Sequence, residues 1–149
     1  MIKVPHTYSE WVNVFSILKQ KSNDEEVLSA MQNGTIEWQS GVAERFMQKL
    51  IDAVNARMND ASDKFQNNLS RARNEEGAIV QAILALRKEM VFLAKVINIP
   101  ALPEKERQYY TNLVIEQADV MQKSLENSAK CDRSGKMSSI VRNHRVNVF

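Results

Sequence analysis

Apolar residues recur along the middle of this chain at alternating four- and three-residue intervals, in two runs. The first is Met47, Ile51, Val54, Met58, Ala61, Phe65, Asn68 and Ala72, with one polar member; the second is Ile79, Ile83, Leu86, Met90, Leu93 and Ile97. A sustained 3.5-residue repeat predicts helices packed lengthwise against other helices and leaves little room for strands. The expected fold class is therefore all-α: an elongated bundle of four to five helices with a long coiled-coil-like hairpin made by the two runs.

Start and stop signals place the remaining elements. Thr7 with Glu10 forms a capping box, so a first helix is expected over 8–21 with Trp11, Phe15 and Leu18 on one face. Ser22 with Glu25 repeats the box and predicts a short helix over 23–32, burying Val27, Leu28 and Met31. Asn33-Gly34 ends it, with Gly34 expected in the left-handed conformation that follows many helix C-termini. The third helix begins between Thr35 and Ser40 and runs to about Arg73. Residues 74–77 are either a tight turn, which is favoured because glycine costs about 1 kcal/mol in a helix interior, or exposed helix continuing through a three-four-four stutter; a turn gives a fourth helix over 75–97. This fourth segment carries a second stripe, Val80, Leu84, Val91 and Ala94, and is expected between two neighbours. Pro100 stops it. Pro103 then opens a fifth helix to about Lys130, with Tyr110, Val114, Ala118, Met121 and Leu125 on one face.

From Asp132 onward the helical period disappears. The expected organisation is a helical bundle over 1–131 and a basic C-terminal tail over 132–149. Net charge is only +2, but residues 130–149 hold Lys130, Arg133, Lys136, Arg142 and Arg145 against Asp132, which is +4 and leaves −2 for the rest. Val146, Val148 and Phe149 are expected to pack on the bundle or on another copy. The chain has one cysteine, Cys131, which excludes an internal disulfide and fits a reducing compartment. No apolar stretch resembles a secretory signal, and the longest uncharged one, 77–86, is about half of what a bilayer requires. A soluble, cytoplasmic protein without a membrane partner is expected.

Candidate chemistry is sparse. His6 and His144 lie near opposite ends, no pair sits at metal-ligand spacing, and neither a metal nor another cofactor is expected. A Cys131–His144 nucleophile pair has no evident orienting group or oxyanion donors. The four glycines are isolated, so no phosphate-cradling loop exists, and the acidic clusters all lie at predicted helix starts. The chain is therefore not expected to be an enzyme.

Residues 23–45 superficially resemble a helix-turn-helix. Such a motif needs a short recognition helix, packed by apolar residues and basic or amide-bearing outward. Here Ser40 takes an apolar position, Glu37 and Glu44 would face phosphates, and the helix continues for many turns. The expectation is a non-enzymatic protein–protein interaction module: an adaptor, small chaperone, inhibitor or assembly subunit. Its apolar runs exceed what the shorter helices can obviously cover, so its expected partner is itself or another helical protein. The expected interaction residues are Met58, Phe65, Asn68, Ile83, Met90, Tyr109 and Tyr110. Asn68 either fixes register within the repeat or marks where the repeat frays. The alternative is a nucleic-acid-associated accessory protein using Arg142 and Arg145 of the tail.

Overall fold

A computed structural model describes residues 2–38, 41–72, 75–132 and 134–147. The chain is all-α, with six helices and no strand among the described residues: α1 (Tyr8–Gln20), α2 (Asp24–Asn33), α3 (Val42–Ala72), α4 (Glu76–Ile97), α5 (Glu104–Ala129) and α6 (Lys136–Asn143). Two compact units share these helices. One comprises Met1–Asn59 with Lys95–Tyr109; the other comprises Asp60–Ala94 with Tyr110–Phe149.

In the first unit the capping box forms much as its spacing implies. Thr7 Oγ1 accepts the Glu10 amide at 3.3 Å, while Glu10 Oε1 reaches back to the His6 N–H at 3.2 Å. The Lys3 ammonium, at 2.7 Å from Oε2, and then the His6 amide hold the Glu10 carboxyl below its ordinary pKa. Helix α1 ends on Lys21, whose backbone is left-handed (φ 58°) and whose N–H returns to the Leu18 carbonyl. Because Lys21 turns the chain, Asn23 rather than Ser22 precedes α2. No side chain caps that end, and the Ser22–Glu25 box does not form.

Gly34 differs from expectation for a physical reason. It is extended (φ −75°, ψ 156°), so the left-handed region plays no part. A Cβ there would lie 2.5 Å from Trp11 Cζ2 and 2.9 Å from Pro5 Cγ. Glycine is present to let the chain pass over the Trp11 ring. Thr35 then donates its N–H to the Pro5 carbonyl at 3.0 Å, tying the N-terminal segment to this crossing. Trp11, Phe15 and Phe46 meet edge-on or tilted with centroids 5.0 to 5.8 Å apart, and Trp38 stands edge-on to Phe46 at 5.3 Å. Trp11 is fully buried, but Trp38 remains 41% exposed, so only the first is core.

Helix α3 begins at Val42, later than expected; Gln39 and Ser40 lie outside the described residues. Its buried line is Phe46, Leu50, Ala53, Val54, Arg57, Ala61, Phe65 and Ala72. This is offset from the predicted run: Met47, Ile51 and Met58 are half-buried, and a charged residue occupies the line's middle. Arg57 sits there because its charge is fully engaged. Nη1 donates to Asp24 Oδ1 at 2.8 Å and to the Leu18 carbonyl at 3.2 Å, and Nη2 donates to Asp24 Oδ2 at 2.9 Å. One guanidinium thus holds the end of α1 and the first turn of α2 together, a fork that suits Arg alone.

The break before α4 stands, since Glu75 is non-helical and its N–H turns back to the Ala72 carbonyl; Arg73 and Asn74 lie outside the described residues. Every member of the second apolar run is buried: Ile79, Ile83, Leu86, Met90, Leu93 and Ile97. The adjoining Val80, Leu84, Val91 and Ala94 are half-buried.

The C-terminal part corrects the sequence reading most. Residues 136–143 form α6 with Ile140 and Val141 buried, where no helical period was expected. Eight residues hold too few turns for a period to show, and the helix depends on its docking. Asp132 organises its start: Oδ2 accepts the Met137 N–H at 3.0 Å, and both oxygens accept from Ser134. The Met137 amide first, then Ser134, hold the Asp132 carboxyl below its ordinary 3.8. A lowered folded-state pKa contributes stability that is present above 3.8 and is lost as pH falls through the lower folded value. Exchange protection at the Met137 amide is therefore expected to fall in acid below that point. Asp132→Asn should flatten the dependence, and an identical acid response in the variant would contradict this account.

Candidate interaction surface

The sequence-derived interaction residues are not brought together. Phe65 is 6% exposed, while Ile83 and Met90 are fully buried. The chain itself covers these three side chains. Met58 and Tyr110 are half-buried. Asn68 is exposed and does not set register from inside the repeat, although Ala72 beyond it is buried again. Tyr109 stands apart at 60% exposure.

Tyr109 belongs to a different stripe. Together with Leu113 (42% exposed) and Val120 (59%) it accounts for all but Trp38 of the exposed large apolar residues described. Positions 109, 113 and 120 fall within about 40° of one another on a helical wheel. The buried residues of α5, Val114, Ala118, Gln122, Leu125 and Ala129, centre on the opposite side. The helix is thus apolar on two faces, one spent inside the chain and one left in solvent. Glu116 lies within the outer face, with Lys123 at its edge.

The inner face of α5 contains a polar residue that periodicity could not single out. Gln122 is 1% exposed. Its Oε1 accepts the Val146 N–H at 2.9 Å, and its Nε2 donates to Glu126 Oε1 at 3.2 Å and to the Val141 carbonyl at 3.5 Å. Asn147 Nδ2 adds a bond to Asp119 at 2.9 Å, and Arg145 approaches Glu126 at 3.7 Å. These contacts strap the C-terminal segment to α5 with Val146 fully buried. Of the two tail arginines, Arg145 is thereby partly committed, whereas Arg142 projects from α6. Val148 and Phe149 lie outside the described residues.

Comparison with known protein families, curated proteins and solved structures finds no match. Function must be argued from the surface alone.

Catalytic arrangements gain nothing from the fold. Cys131 is exposed with Sγ 3.9 Å from the Asn127 carbonyl, and His144 Nδ1 lies 3.2 Å from the Ile140 carbonyl. No group of three or more His, Cys, Asp or Glu among the described residues is placed to hold a metal ion. A groove of about 550 Å³ runs between the N-terminal segment and α1, lined by Ile2, Lys3, Glu10, Asn13, Val14, Ser16 and Ile17. Its one carboxylate, Glu10, is already held by Lys3 and the His6 amide. No described helix is long and apolar enough to cross a membrane.

Proposed function

We propose that this chain is a non-enzymatic protein–protein interaction module that docks through the outward face of α5. The supporting observation is the segregation of Tyr109, Leu113 and Val120 to one side of a helix whose opposite side is buried. Single exposed apolar residues need no explanation, but three aligned on one helix do. An exposed tyrosine beside aliphatic residues also supplies a rigid anchor of the type enriched at interfaces. The reading covers a second copy of the chain or the helix of another protein.

The test combines sedimentation of the purified chain at tens of micromolar with affinity recovery of the native complex. Wild type is expected to self-associate or to retain a stoichiometric helical partner. Leu113→Ser with Val120→Ser should abolish that association while leaving helix content intact. A monomer with no retained partner, or association indifferent to these substitutions, would remove the proposal.

A further inference from the structure

We propose that the outward face of α6, with the adjoining end of α5, docks on the phosphate backbone of double-stranded nucleic acid. This goes beyond the α5 reading and uses a different surface.

The inference starts from the geometry that the N-terminal helix-turn-helix candidate lacked. Helix α6 is short, seated by Ile140 and Val141, and largely polar toward solvent: Lys136, Ser138, Arg142 and Asn143 are exposed, and Ser139 and Met137 are half-exposed. It contains no acidic residue, whereas each of the other five helices begins with one in its first turn. At 8 residues it is about 12 Å long, which matches the width of the major groove of a DNA duplex.

The underlying support extends the basic surface. The α5 residues that bond the C-terminal segment are Asp119, Gln122, Glu126 and, through its carbonyl, Ala129. Lys123 and Lys130 follow Asp119 and Glu126 by one helical turn, so they flank the docked segment, and both are exposed. Five cations (Lys123, Lys130, Lys136, Arg142 and Arg145) share this region with three carboxylates, and all three carboxylates already accept internal bonds. Asp119 serves Asn147, Glu126 serves Gln122 and Arg145, and Asp132 serves Ser134 and Met137. Among the described residues no ion pair engages Lys123, Lys130, Lys136 or Arg142. The carboxylates fix the scaffold, and the four cations are exposed to solvent, Lys136 among them also lying in the field of the Asp132 carboxylate.

The chemistry of this face selects the partner. An acidic peptide or an anionic membrane would draw on exposed apolar side chains for anchoring, and none of the exposed residues of α6 is apolar. Arg and Lys with neighbouring hydroxyl and amide donors are the side chains that contact phosphate oxygens; here Asn143 and Ser139 supply those donors, since the Ser138 hydroxyl already donates to the Ala129 carbonyl at 3.2 Å. The strap through Gln122 holds α6 in place before any partner arrives, so ordering it adds no cost on binding.

The experiment is fluorescence anisotropy of the full chain with a labelled duplex of about two helical turns. Binding is expected at about 50 mM salt, weakening on the order of 100-fold by about 200 mM if four phosphates are engaged. Lys136→Ala with Arg142→Ala should remove roughly half of the salt slope. Both side chains are exposed, so an unchanged thermal midpoint will show that the fold survives, and Lys136→Arg with Arg142→Lys should keep the slope. No binding at the lower salt, a double-alanine variant that binds as wild type, or equal affinity for phosphatidylserine vesicles would each overturn the inference.

Discussion

Arg57→Ala is expected to lower the unfolding free energy by about 3 kcal/mol, read from the urea midpoint with Trp11 and Trp38 fluorescence as the probe. The Arg57 side chain is 1% exposed and forks both oxygens of Asp24 while donating to the Leu18 carbonyl. Removing one partner of a buried pair costs about 3–5 kcal/mol where both ends are dry. Asp24 is 38% exposed and can recover water, which places the expectation at the low end. Leu18 O also keeps the Lys21 N–H. Arg57→Lys is expected to recover only part of the loss, because an ammonium cannot reproduce the two parallel bonds. A cost below about 1 kcal/mol for the alanine variant would mean that the clamp contributes no more than a surface pair.

Trp11→Ala is expected to cost about 4 kcal/mol, the middle of the range for aromatic truncation in a core. The indole is fully buried, packs on Phe15 and Phe46, and donates from Nε1 to the Thr35 carbonyl at 2.8 Å. Its loss would leave a cavity and an unmatched carbonyl at the crossing of the N-terminal segment. The same ring explains Gly34, so the two positions must be coupled. Gly34→Ala alone should destabilise by about 2 kcal/mol through overpacking, and in the Trp11→Ala background that penalty should shrink to what the remaining Pro5 Cγ contact imposes. Additive effects of the two substitutions would show that the ring does not set the need for glycine.

Both effects fall in regions where the sequence carried half of the relevant information. The apolar run from Ile79 to Ile97 was legible throughout, because every core position there is apolar and the period is unbroken. The run from Met47 to Ala72 identified the helix and its buried Val54, Ala61, Phe65 and Ala72, but it included the half-buried Met47, Ile51 and Met58 and passed over Ala53 and Arg57. Apolar periodicity assigns a charged residue to solvent, and Arg57 is buried only because Asp24 and the Leu18 carbonyl meet it from 33 and 39 residues away. Gln122 escaped notice for the same reason, since its partners Val141 and Val146 lie in a segment with no helical signature. The exposed positions of α5 were partly legible: Tyr109 is among the expected interaction residues, but Leu113 and Val120 have no local mark of exposure.

By itself the sequence determined the all-α class, the helix order up to α5 and the start of α1, since these follow from apolar period, capping chemistry and the placement of proline; between a turn and a continuous helix near Gly77 it did not decide. Tertiary structure decided which face of α3 is inside, why Gly34 must lack a side chain, that residues 136–143 are helical, and which apolar residues remain in solvent. Those outcomes depend on groups far apart in the chain meeting at hydrogen-bonding or van der Waals distance. A local pattern sets what each residue prefers, and only contact with distant partners determines which preference prevails.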